Sequence, residues 1–246
     1  MPPRPSTGHI RVASYNIRKC IGTDRRRRPD RILDVLAEVD ADVVALQEAD
    51  RRFGLRASAI PPELLAQVSS YVPVALDTRP DSLGWHGNAI LVRKGAVVEH
   101  CLPIHLPMLE PRGAVVAELV LAGGRRLRVI GMHLDLSGLW RKRQVRALVD
   151  HVSRCKAKMP TVLMGDMNEW TRRGGCLTEL GHDYHVAQTG RSFHSRRPIA
   201  ELDRIIVDAS MQLSASGVHR SLLAQRASDH LPIWADIAST GWETTR

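Results

Sequence analysis

Thr161–Asn168 reads TVLMGDMN. The unbroken apolar run from Thr161 to Gly165 predicts a short strand covered on both faces. It leads straight into Asp166 and Asn168. A carboxylate at the tip of a buried strand is costly unless it is solvated, paired or bound to a cation. Taken alone, such a residue has a plain account as a turn former or helix cap. The same arrangement recurs along the chain, however. The strand predicted over His9–Ile17 carries Asn16 at its end, and DVVALQ (Asp42–Gln47) runs into Glu48. LRVIGMHLD (Leu127–Asp135) ends on His133 and Asp135, Asp203 opens the LDRIIV strand, and Asp229 and His230 precede LPIWADI. Strand ends converge in space, so these groups are expected to meet in one cleft.

Around these strands the apolar spacing predicts helices over Pro29–Val39, Pro61–Ser69 and Leu139–Ser153, the last burying Val145, Leu148, Val149 and Val152. Further strands are expected at Asn88–Arg93, Ser192–His194, Leu202–Val207, Leu213–Val218 and Leu231–Ile237. Ala114–Leu121 and Leu127–Leu134, separated by Gly123 and Gly124, predict a hairpin. Hairpins mixed with crossover helices point to an α/β fold, a four-layer sandwich of two mixed sheets packed face to face with helices outside. Residues 9–240 are expected to form a single domain behind a disordered tail at 1–8. No run is apolar enough to span a bilayer. Cys20, Cys101, Cys155 and Cys176 are far apart and show no zinc spacing. With no apolar leader evident, they predict reduced thiols in the cytoplasm.

The polar set has the composition that phosphoester hydrolysis requires. Glu48, Asn16 and Asp229 are hard oxygen donors, suited to Mg²⁺ or Mn²⁺. His133 and His230 supply proton transfer or hydrogen bonds near neutral pH. Asp203 is positioned in the sequence to orient His230, and Asn168 to hold a water or a phosphate oxygen. No Ser or Cys carries the signature of a covalent nucleophile.

Seven short motifs, SYNIR (Ser14–Arg18), ALQE (Ala45–Glu48), GNAI (Gly87–Ile90), MHLD (Met132–Asp135), GDMN (Gly165–Asn168), LDRI (Leu202–Ile205) and SDH (Ser228–His230), occur in one order. Together they resemble the endonuclease/exonuclease/phosphatase superfamily, which includes deoxyribonuclease I, abasic-site endonucleases, sphingomyelinases and inositol polyphosphate 5-phosphatases. The resemblance runs from about Ile10 to Ile237 and implies a deoxyribonuclease I-like fold. It implies Glu48 as the principal metal ligand, with Asn16 and Asp229 at or near the metal. It implies Asp166 as the group that activates or orients water, with Asn168 beside it. His230 is implied at the scissile phosphate with Asp203 as its partner, and His133 as support for the phosphate or leaving group. Asn88 and Arg112 fall where further phosphate contacts often lie. One departure is Arg18, where several nucleases of the group carry an acid. That puts a second metal site in doubt and leaves Arg18 as either a phosphate contact or a structural ion pair.

The formal charge of +9 favours an anionic partner. Basic clusters flank the strand ends named above: Arg25–Arg28, Arg51–Arg52, Arg141–Arg143 (with Lys142), Arg172–Arg173 and Arg196–Arg197. They predict a positive rim that focuses nucleic acid through its phosphates, or else solvated loops. Aromatics for base stacking are scarce, with Trp85, Trp140 and Trp170 near the motif loops and Trp140 equally suited to helix packing. The opening YNIRKCIGTDRRRRPDRI is similar to small bacterial members of the group, some linked to phospholipid metabolism. A phospholipid or small-molecule phosphoester therefore stands as the alternative substrate. A non-catalytic nucleic-acid- or lipid-binding module is the rival of another class, ranked behind because no expected site position is missing.

Overall fold

The computed structural model describes residues 8–51, 57–76, 81–239 and 242. Of the tail expected at 1–8 only Gly8 falls within them, and Arg52 lies outside them.

Two six-stranded mixed sheets pack face to face. The first contains β1 (Ile10–Asn16), β2 (Val43–Gln47), β3 (Tyr71–Pro73), β4 (Ala89–Arg93), β11 (Met211–Val218) and β12 (Ile233–Ser239), in the order β11-β12-β1-β2-β4-β3. The second contains β5 (Val97–Ile104), β6 (Gly113–Leu121), β7 (Arg125–His133), β8 (Thr161–Asp166), β9 (Tyr184–Val186) and β10 (Asp203–Asp208), in the order β5-β6-β7-β8-β10-β9. Each sheet has a central parallel pair joined by a crossover helix. α1 (Pro29–Val39) connects β1 to β2, and α3 (Gly138–Arg154) connects β7 to β8. α2 (Pro62–Val68) and α4 (Leu222–Ala227) complete the helices.

Strand pleating sorts the core into three apolar layers. Ile10, Val12, Val43 and Ala45 face Val115, Val129, Val162, Met164 and Ile205 between the sheets. Ala13, Tyr15, Val44 and Leu46 face outward against Ile32, Val35 and Leu36 of α1. Ile130, Met132, Leu163 and Ile206 pack outward against Val145 and Leu148 of α3. The four-layer sandwich expected from the strand and helix pattern is therefore the fold. At its centre the sheets approach closely, since a Cβ on Gly131 would meet the Ala45 Cβ at 3.3 Å.

Some local expectations are corrected. Ser192–His194 is not a strand: Phe193 forms only isolated bridges, to Ala200 and to His230. The amides of Ser192 and Phe193 both turn to the Ala200 carbonyl, so no ladder extends through them. β5 is absent from the sequence reading because half of it is exposed and Pro103 interrupts the pattern, as suits an edge strand. β3 and β9 are three-residue edge pieces with too few positions to show a period. α4 is capped by Ser221, whose hydroxyl accepts the Ala224 amide at 3.0 Å.

Candidate active site

The pleat that builds the inner core also builds the site. Side chains facing the opposite sheet alternate as Val12, Ser14 and Asn16 on β1, and as Val129, Gly131 and His133 on β7. On β8 they are Val162, Met164 and Asp166, and on β10 Asp203, Ile205 and Val207. The polar residues are the inward positions at the ends of their strands, the last on β1, β7 and β8 and the first on β10. In register, Asp166 lies opposite both His133 and Asp203. The sheets therefore deliver these groups to one end of the sandwich, between the layers.

Asp166 is the hub. Its Oδ2 accepts Asn16 Nδ2 at 3.0 Å and lies 3.5 Å from His133 Nε2 and 3.7 Å from His230 Nε2. Its Oδ1 accepts the Asn168 amide at 2.9 Å. Asn168, left-handed at φ 50°, donates its side chain to the Leu134 carbonyl at 2.9 Å. On the far side of His230, Nδ1 meets Asp203 Oδ2 at 2.8 Å, and the same oxygen accepts the Ser192 hydroxyl. The other oxygen of Asp203 is buried without a hydrogen-bond partner. The Phe193 ring packs on His230 with centroids 4.9 Å apart.

The two histidines are held in opposite protonation states. Burial pushes His133 down to about 4, outweighing the pull of Asp166, and the Arg112 guanidinium adds to the depression. Arg112 Nη1 contacts His133 Nε2, so that nitrogen carries the lone pair. Its approach to Asp166 is accordingly not an ion pair. Burial acts on His230 in the same sense, but Asp203 and Asp166 outweigh it and raise the group to about 10. His230 is therefore an imidazolium with a carboxylate facing each ring nitrogen.

Glu48 follows β2 at φ 52°, a left-handed turn that redirects its side chain from the strand's alternation. Two backbone bonds hold this geometry, from the Lys19 amide to the Glu48 carbonyl at 3.0 Å and from the Ala49 amide to the Gly87 carbonyl at 2.9 Å. Glu48, Lys19, Gly87, Glu110, Arg112 and His133 line an open cleft. Burial would raise the Glu48 carboxyl, yet the Lys19 ammonium against it and the nearby His133 and His230 hold it below its ordinary value.

Three candidates engage protein partners. Arg18 Nε is 3.2 Å from Asp229 Oδ2, so the structure forms the ion-pair alternative for Arg18. Asn88 is buried. It donates to the Gly113 carbonyl at 3.0 Å and so links the first sheet to β6 in the second. Asn16 Oδ1 accepts the Arg18 amide at 3.1 Å. Sequence reasoning did not single out Lys19, Ser192, Phe193 or Glu169. Lys19 directly follows SYNIR and Glu169 directly follows GDMN, so motif adjacency was the available signal. Ser192 and Phe193 carried none.

Asp166, Asp203 and His230 lie close enough for one cation, their ligand atoms within 4.8 Å of one another. Chemically they do not suit it, because both His230 nitrogens face carboxylates and neither offers a lone pair. Glu48 fits better: it is a hard carboxylate in an open cleft, with the Lys19 ammonium already placed where a cation would sit.

The sequence model of the Endonuclease/Exonuclease/phosphatase family matches residues 13–230. The chain belongs to the endonuclease/exonuclease/phosphatase family. Members of this family are divalent-metal-dependent phosphoester hydrolases. Its fold is shared with an endonuclease/exonuclease/phosphatase from Bacteroides vulgatus at 18% identity and TM-score 0.77, covering 94% of this chain and 99% of that one. It is shared too with D. rerio TDP2 complexed with a single-strand DNA product, at 18% identity and TM-score 0.72, covering 94% and 99%. The human Nocturnin catalytic domain with bound sulfate matches at 19% identity and TM-score 0.71, covering 94% and 95%. No curated protein matches the chain.

Proposed function

We infer that residues 9–240 form one catalytic unit that hydrolyses phosphoester bonds with a divalent cation, Mg²⁺ or Mn²⁺. The observation that carries this reading is the Asp166 hub, where one buried carboxylate meets an amide, a neutral imidazole and an imidazolium, with His133 reaching from it into the cleft that Glu48 also lines. Glu48 is the principal metal ligand, with Asn16 and Asp229 beside it. A bound cation supplies charge neutralisation on the phosphate or the leaving oxygen.

The remaining steps belong to the side chains. Asp166 accepts a proton from the attacking water. Asn168 fixes the loop that holds Asp166 in place. His230, charged because Asp203 backs it, donates to a phosphate oxygen as negative charge develops there. His133, kept neutral, accepts from Arg112 at Nε2 without adding charge, and so holds the guanidinium in the cleft to meet substrate phosphate. Arg18 and Asn88 assist substrate binding indirectly, Arg18 through Asp229 and Asn88 by tying the two sheets together at Gly113.

The exposed arginines at 25–28, 51, 172–173 and 196–197 suit an anionic substrate. Nucleic acid is the first class they fit, and a phospholipid or small-molecule phosphoester the second. Arg141 does not belong to this rim: it is buried and engages Glu169. The cytoplasm is the compartment proposed, on the reading of the cysteines as reduced thiols. Among the described residues no helix is long and apolar enough to cross a membrane. The test is hydrolysis of bis(p-nitrophenyl) phosphate with Mg²⁺ or Mn²⁺, in the presence and absence of EDTA, alongside His230→Ala. Turnover should disappear with chelator and with the variant. Turnover indifferent to both would overturn the reading.

A further inference from the structure

Beside the cleft the surface changes character. Leu109 is 71% exposed, Leu136 61%, Leu139 60% and Trp170 60%, with Met108 also exposed. Isolated exposed apolar residues are ordinary on a protein surface, but several large ones on adjoining loops are not. They belong to three loops that border the site and, for Leu139, to the first turn of α3. Leu109 precedes the cleft residues Glu110 and Arg112, Leu136 follows His133 at the end of β7, and Trp170 follows Asn168 and Glu169.

The loops are held together from beneath by a buried polar network. The Asp135 carboxylate accepts the Leu109 amide at 3.3 Å and the Ser137 amide at 2.8 Å. Arg141 donates to the Leu136 carbonyl at 2.6 Å and reaches Glu169 at 3.5 Å. Glu169 in turn accepts the Thr171 and Cys176 amides, each at 3.0 Å. Gln144 donates to the Pro107 carbonyl at 3.0 Å. Buried charges this well bonded fix backbone geometry, and the geometry they fix aims leucines at water. The first turns of α3 add exposed Lys142 and Arg143, the latter stacked 5.0 Å over the half-buried Trp140. Apolar tips beside basic side chains and an amphipathic ring complement the interface of an anionic bilayer, where leucines enter the acyl boundary and the cations meet headgroup phosphates.

We propose that the loops carrying Leu109, Leu136 and Trp170, with Leu139, Lys142 and Arg143 of α3, form a docking surface for an anionic lipid membrane, setting the open cleft against the headgroups. The docking surface stands on its own; that it delivers substrate to Glu48 and His230 rests on the hydrolase reading above.

The test is co-sedimentation of the full chain with phosphatidylcholine vesicles, with and without about one third phosphatidylglycerol. The expected result is binding to the anionic vesicles that weakens at least about tenfold in the triple variant Leu109→Ser/Leu136→Ser/Leu139→Ser, and also in Lys142→Glu/Arg143→Glu. The triple variant should keep its rate on bis(p-nitrophenyl) phosphate, which needs no membrane. Vesicle binding without hydrolysis of that ester would keep the surface and remove the hydrolase reading. Three results would overturn the surface: no preference for anionic vesicles, unchanged binding by the triple variant, or leucines whose loss abolishes only oligonucleotide binding or self-association.

Discussion

Asp203→Asn isolates the charge that the site depends on. In the native protein Asp203 contacts His230 at 2.8 Å, with the Asp203 side chain fully buried and the His230 side chain nearly so. His230 is raised from 6.5 to about 10. A histidine whose folded value is raised contributes stability that is complete below its unfolded value, here near 6.5, and is lost as pH climbs through about 10. At pH 7 nearly three units of that shift are expressed, about 4 kcal/mol at about 1.4 kcal/mol per unit. The amide keeps the shape and can still accept from Nδ1, and Asp166 still faces Nε2 at 3.7 Å. The loss should therefore be partial, about 2–4 kcal/mol, overlapping the range for breaking one side of a buried pair. For a chain of this length that lowers Tm by roughly 5–15 °C. Urea denaturation of both proteins near pH 7 should show the gap, and near pH 10.5 the gap should narrow to about 1 kcal/mol as native His230 deprotonates. NMR of the imidazole at about pH 9 should find it mostly charged in the native protein and mostly neutral in the variant. Equal stability within about 0.5 kcal/mol near pH 7, or a gap that does not change with pH, would refute the imidazolium and the role derived from it.

Other outcomes follow from the same geometry. Glu48→Gln should lower turnover by about 10²–10³-fold and weaken Mn²⁺ binding measured by EPR, while leaving Tm within about 2 °C, because it removes a charge from an open cleft. Burial would raise Glu169, but the Thr171 and Cys176 amides hold its carboxyl down at about 2. Its contribution to stability is present above its ordinary 4.5 and lost as pH falls toward about 2, so Glu169→Gln should flatten the acid limb of a stability–pH profile. Gly165→Ala should destabilise by about 3 kcal/mol or more, seen as a lowered urea midpoint, since its Cβ would lie 1.8 Å from the Met132 carbonyl oxygen on the neighbouring strand.

The candidate site was legible where a residue closes an apolar run. Asn16, His133 and Asp166 terminate hydrophobic strands and Asp203 begins one; the pleat turns all four toward the same interlayer space. Glu48 and Asn168 were legible by adjacency, although the left-handed backbone that aims them was not. The basic rim was over-read. Arg141 looks like its neighbours Lys142 and Arg143 in the sequence, but helical periodicity turns it inward with Gln144 and Val145, where it meets Glu169. Edge strands were missed because one covered face and few residues leave little pattern to read.

Apolar periodicity and the order of seven motifs determined by themselves the layered α/β sandwich, the family and most of the polar set, because burial acts on each strand locally and marks the residues that end it. Only the tertiary structure decided that His133 is neutral and His230 charged, that Lys19 stands against Glu48, and that a buried Asp135–Arg141–Glu169 network lifts leucines beside the cleft. Protonation and exposure depend on partners tens to hundreds of residues away, and a charge in low dielectric takes its state from those neighbours rather than from its own place in the chain.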